Sequence, residues 1–139
     1  MRKLLWCATA VFGLACTSCG NSNHLYPVSG TVAYKGQPAA GAAVFFRRPG
    51  GDAMNDHVIM AIVQEDGSFA VVCGSLGEGA PPGEYDVLIE WQQDLSPGKG
   101  LAHRRRDRLQ GRYADPKHPC FHAVVRVESN RLPPFELTE

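Results

Sequence analysis

The sequence predicts an all-β domain, a two-sheet sandwich, behind a short export leader. Three observations carry this. Fifteen glycines and ten prolines lie scattered between short apolar runs, so turn chemistry recurs along the chain. The apolar runs alternate with a period of two, most clearly in Pro81-Pro82-Gly83-Glu84-Tyr85-Asp86-Val87-Leu88-Ile89-Glu90-Trp91, where Tyr85, Val87, Ile89 and Trp91 share one side of a strand. No window of about a dozen residues carries a sustained helical stripe with caps, which argues against a helical bundle or a βαβ enzyme.

The leader comes first in the chain. Met1-Arg2-Lys3 is a short positive segment, and Leu4 to Ala15 is apolar but too short to span a bilayer as a helix. The following Cys16-Thr17-Ser18-Cys19-Gly20 resembles the lipobox of bacterial lipoproteins, in which small residues precede a cysteine that is acylated on sulfur and becomes the new N-terminus. Cys19, flanked by Ser18 and Gly20, is the expected anchor. The motif before Cys19 departs from the pattern in having Cys16 where leucine is preferred, and Cys16 itself, preceded by Gly13-Leu14-Ala15, is the poorer fit as an anchor. The expected organisation is a signal peptide over 1–18, a lipidated cysteine and polar tether over 19–25, and a sandwich over 26–139. Each buried CH₂ of an acyl chain contributes ~0.8 kcal/mol, so a multiply acylated cysteine holds a protein at a membrane of the cell envelope, facing periplasm or exterior.

Composition narrows the partners. The chain carries 14 basic and 14 acidic residues. Without Arg2 and Lys3 the balance is 12 against 14, a net charge of about −2, which gives no field for nucleic acid.

The domain reads as seven strands. Tyr26 to Tyr34 alternates, with Val28, Val32 and Tyr34 on one face, and Lys35 to Gly41 is turn. Ala42 to Arg47 returns. Val58 to Val63 is apolar on both parities, which predicts burial on both faces or a covering element. Asp66-Gly67 is a hairpin signal feeding Ser68 to Cys73. Gly74 to Gly83 reads as a flexible glycine-rich crossing, since a phosphate cradle needs a following helix and lysine that are absent there. After the strand ending at Trp91, Gln92 to Arg112 is a long polar loop. Phe121 to Glu128 and Leu132 to Leu137 complete the set, the latter with the prolines of an edge strand. Seven short strands with turns between them predict an immunoglobulin-like or prealbumin-like sandwich.

Val28-x-Gly30-x-Val32, Gly36-x-Pro38-x-x-Gly41-Ala42-x-Val44, Asp66-Gly67-x-Phe69 and Pro82-Gly83-Glu84-Tyr85-x-Val87 together resemble the successive motifs of carboxypeptidase-regulatory-like, transthyretin-like domains. With the leader, Gly111-Arg112-Tyr113-Ala114-Asp115-Pro116 and Leu132-Pro133-Pro134-Phe135-Glu136-Leu137, the chain is similar to small bacterial lipoproteins carrying one such domain. The resemblance implies a sandwich without catalytic residues.

The candidate site residues are few. Cys73 and Cys120 remain in the domain and could pair in an oxidising compartment, or each could be a small buried hydrophobe. Arg104, Arg105, Arg106 and Arg108 form a basic run that could grip an anionic polymer or lipid headgroups. His24, His57, His103, His118 and His122 lack the spacing of a zinc site, so no metal or other cofactor is expected. An isopeptide bond from Lys35 would need an inward carboxylate. Glu90 falls on the outward parity of its strand, which argues against it. Trp91 could offer a sugar-stacking platform, although its parity assigns it to the core. The expected function is a non-enzymatic, membrane-anchored structural or protein-interaction module with an envelope protein or polysaccharide partner. The alternatives are a carbohydrate- or peptide-binding module using loops at one end, or a small hydrolase whose Ser, His and Asp set the sequence does not display.

Overall fold

The structure, a computed structural model, describes residues 24–51, 57–94 and 105–139. The leader, Cys16, Cys19, Arg104 and the middle of the long polar loop lie outside the described residues.

Among the described residues thirteen short strands form a sandwich. β1 (Val28–Tyr34) turns through Lys35 and Gly36 into β2 (Gln37–Pro38). β3 (Ala43–Arg47) and β4 (Ile59–Ile62) pair antiparallel, with Val44 opposite Ala61. β5 (Ser68–Ala70) starts at the Asp66-Gly67 turn, where the Asp66 carboxylate accepts bonds from the Ser68 amide and hydroxyl. β6 (Val72–Cys73) leads through a 3₁₀ turn, Gly74–Leu76, to β7 (Gly77–Glu78). β8 (Gly83–Glu90) is the longest strand, and β9 (Gln92–Asp94) pairs with β10 (Arg105–Asp107) in a hairpin beyond it. β11 (Phe121–Val125), β12 (Asn130–Arg131) and β13 (Phe135–Leu137) end the chain.

One layer is antiparallel, in the order β11-β8-β3-β4-β6-β7. The other is built on β1, with β2 and β5 antiparallel on one side and β12 and β13 parallel on the other. All seven strands read from the sequence are present.

The core lies between the layers. Val28, Val32, Phe69, Phe135 and Leu137 come from the β1 layer, and Val44, Phe46, Tyr85, Val87 and Ile89 from the other; all are buried. Burying each such side chain contributes roughly 1.5–3 kcal/mol. Phe69 stacks on Phe135 at 6.0 Å, and Phe46 meets Tyr85 edge-on at 6.2 Å. Gly30 in β1 makes room for this packing, because a Cβ there would stand 2.6 Å from Phe69 Cζ. The Tyr85 hydroxyl donates to the Pro81 carbonyl at 2.7 Å, fastening the Pro-Pro-Gly turn to the strand it feeds.

Three expectations are corrected. The Ser68 to Cys73 strand is divided between layers, since Ala70 pairs with Ser29 but Val72 pairs with Met60. Val71, between them, is buried and donates to Val28 O at 2.9 Å while accepting from Gly79 N at 2.7 Å. Gly74 to Gly83 is organised by these bonds and by Tyr26 and Ala80, which exchange amide bonds of 2.9 and 3.0 Å. Only one face of Val58 to Val63 is covered: Ile59, Ala61 and Val63 are buried, whereas Val58 and Ile62 are 58% and 47% exposed.

Candidate functional site

A concavity of about 1130 Å³ lies beside the divided strand. β4 pairs with β3 and β6, and β5 pairs with β1, so among the described residues no ladder joins β4 to β5. Met60, Ile62, Val72, Thr31, Ala70 and Arg131 to Pro134 line the concavity. The lining is mainly apolar, with polar groups at Gln64, Ser68 and Arg131. It suits an apolar surface or an extended apolar chain better than a charged substrate.

The basic run does not form one cationic face. Arg105 and Arg106 are exposed neighbours on β10, so their side chains leave opposite sides of the hairpin. Arg108 lies with its guanidinium 4.2 Å from the Trp91 ring and 5.7 Å from Tyr34. Trp91 in turn meets Tyr34 edge-on and donates from Nε1 to Ala40 O at 2.9 Å. These contacts make Trp91 a packing element of the hairpin base, half-buried against the core, with Arg108 on it where a sugar would stack. Asp107 holds the same corner, accepting from the amides of Trp91, Leu109 and Gly111.

A second cationic pair escaped the sequence reading. Arg47 and Arg48 line a small polar cleft of about 220 Å³ with Gly50, Gly51, Asp86 and Pro116. Arg47 lies opposite Asp86 across β3 and β8, and the Asp86 carboxylate accepts from His122 Nδ1 at 2.9 Å. The available signal was two arginines immediately before a Pro-Gly-Gly turn.

The proposed disulfide is not formed. Cys73 is a buried free thiol on β6, and Cys120 is an exposed one just before β11. Three strands, β4, β3 and β8, separate β6 from β11. At about 4.8 Å per strand spacing the separation far exceeds the ~7 Å Cα limit for a bridge. Burial pushes the Cys73 thiol above its ordinary value, the behaviour of an inert core thiol. The Cys120 thiol lies 3.8 Å from Arg112 O.

His118 and His122 are held apart by different carboxylates. His118 Nδ1 bonds Asp115 at 2.9 Å, and this contact, with the Lys117 amide, holds the Asp115 carboxyl below its usual range. His24 and His57 are exposed on separate segments, and His103 lies outside the described residues. Lys35 pairs with Glu139, which raises the lysine and lowers the carboxylate. Glu90 stands on the outer face opposite Ala43, near Gln92, away from Lys35's partner. Among the described residues no helix is long and apolar enough to cross a membrane. No protein-family model matches the chain, and no curated protein matches it significantly.

Proposed function

We propose that the chain is an exported, non-enzymatic lipoprotein of the bacterial cell envelope. Cys19 anchors it, and its carboxypeptidase-regulatory-like, transthyretin-like sandwich serves as a structural or protein-interaction module. The observation that supports this reading most directly is where the fold begins. Leu25 already packs against the core and Tyr26 is bonded to Ala80. Only residues 20–24 separate this docking from the lipobox-like cysteine. A tether that short suits a module whose work is done next to a membrane.

The test is fractionation of cells expressing the parent chain or Cys19→Ala, with metabolic labelling by a fatty acid. The parent should be labelled and pelleted with membranes, and Cys19→Ala should be unlabelled and soluble. An unlabelled parent, or equal retention of both, would overturn the anchor.

A ligand-binding reading draws on the cleft of Arg47 and Arg48, whose charge suits a small anionic group on a polysaccharide or peptide. Calorimetry with an acidic oligosaccharide, comparing parent and Arg47→Ala, tests it. Heats that are equal or absent remove it.

A further inference from the structure

We infer that the outer face of β4 and β6, with Leu76 beside it, is the surface on which the domain rests against neutral phospholipid. This rests on the anchoring reading above.

The face is apolar where an exposed strand would ordinarily be polar. Val58, Met60 and Ile62 take the outward parity, alternating with buried Ile59, Ala61 and Val63. Val72 lies directly across from Met60. Val58, Ile62, Val72 and Leu76 are 58%, 47%, 40% and 42% exposed. They continue into the apolar groove through Met60, Ile62 and Val72. A contiguous exposed patch of this kind marks an interaction surface.

The tether selects the occupant. Tyr26 is fixed to Ala80, and the Leu25 side chain reaches within 3.9 Å of where a Cβ on Gly77 would stand. Gly77 belongs to β7, the neighbour of β6 at the sheet edge. The chain therefore leaves the fold beside Leu76 and Val72. Cys19 lies six residues before Leu25, so it is within roughly 20 Å of this edge even when fully extended. The opposite edge, β11, is five strand spacings away, roughly 24 Å. An acylated Cys19 thus holds the bilayer against the apolar edge and leaves β11 facing away.

Charge selects the lipid. Glu78, directly across from Val72, and Gln64, on the outward parity beyond Ile62, border the patch. With Arg131 in the adjoining groove the border carries one charge of each sign and no net charge, so the contact suits zwitterionic lipid and responds weakly to salt.

The experiment uses the full acylated chain reconstituted in phosphatidylcholine vesicles. In a Cys120→Ser background, Leu76→Cys, Ile62→Cys and Val124→Cys variants carry an environment-sensitive fluorophore, and the vesicles contain spin-labelled phosphatidylcholine. Labels at 76 and 62 should shift to the blue and be quenched by the lipid several-fold more than the label at 124. Adding Val72→Asp should remove that difference without releasing the protein. Mass spectrometry of the same sample reads the anchor separately. A chain without acyl mass refutes the anchoring reading. An acylated, vesicle-bound chain with equal quenching at 76 and 124 refutes the resting face alone. A blue shift at 76 that depends on protein concentration and not on spin-labelled lipid assigns the patch to a second copy and also refutes it.

Discussion

At one edge of the six-stranded sheet the backbone is divided into two-residue pieces, β6 and β7, while at the other β11 runs five residues without a break. The first edge is rich in glycine and fastened at several points: Tyr26 to Ala80, and Gly79 to Val71. The second is rich in β-branched and aromatic residues, with Val124 and the following Val127 53% and 70% exposed. Long regular edges invite pairing with another chain, and short interrupted ones resist it. The comparison therefore separates a side engaged with its own N-terminal segment from a side whose strand, among the described residues, is laddered to β8 alone.

The strongest way to break this contrast is at Gly79. Its φ is +99°, and a Cβ there would collide with the Tyr26 carbonyl. Gly79→Ala should cost about 3 kcal/mol through strain and lost docking of the first residues. Urea unfolding measures the cost, and a midpoint equal to the parent's would show that the near edge does not depend on this approach.

The far edge has a fastening of its own. Asn130 is a buried polar residue; its side chain accepts from Arg126 N at 2.8 Å and donates to Arg126 O and Glu128 O at 3.1 and 2.6 Å. Asn130→Ala should cost about 2 kcal/mol, since it removes the several hydrogen bonds that close the turn after β11. Amide exchange should rise after β11 and remain unchanged near Ala80. Uniform exchange at both places would mean that the edges are not independent.

The smallest effect is at the hairpin between β4 and β5. The Ser68 hydroxyl, and then the Ser68 amide, hold the Asp66 carboxyl below its ordinary value of 3.8. With the folded value depressed, its contribution is complete above the unfolded value and is lost as pH falls toward the folded one. Asp66→Asn should lower stability slightly at neutral pH and bring it close to the parent's in acid, flattening the acid limb below that value. An unchanged acid limb would assign acid sensitivity elsewhere.

Much of this fold was legible because alternation reports on one face at a time. Tyr85, Val87 and Ile89 are buried as their parity requires, and so are Val28 and Val32. Val58 to Val63 misled because apolar residues on both parities do not distinguish a covered face from an exposed apolar one. The transfer of one strand between layers at Val71 depends on partners distant in sequence. The fate of Cys73 and Cys120 depends on strand order, which periodicity does not encode. The arginine run looked like a site as a string of letters, yet strand pairing turns Arg105 and Arg106 apart, and two aromatic rings engage Arg108.

The parallel pairing of β1 with β12 and β13 has a temporal consequence. Pro27 O accepts from the side chain of Asn130, 103 residues away, and Val32 is registered with Phe135. The first strand thus lacks one of its neighbours until the last residues are available, and such distant contacts close slowly. A chain emerging N-terminus first from a narrow translocation pore would stay open and pliable until its final turn had passed, then close as a unit.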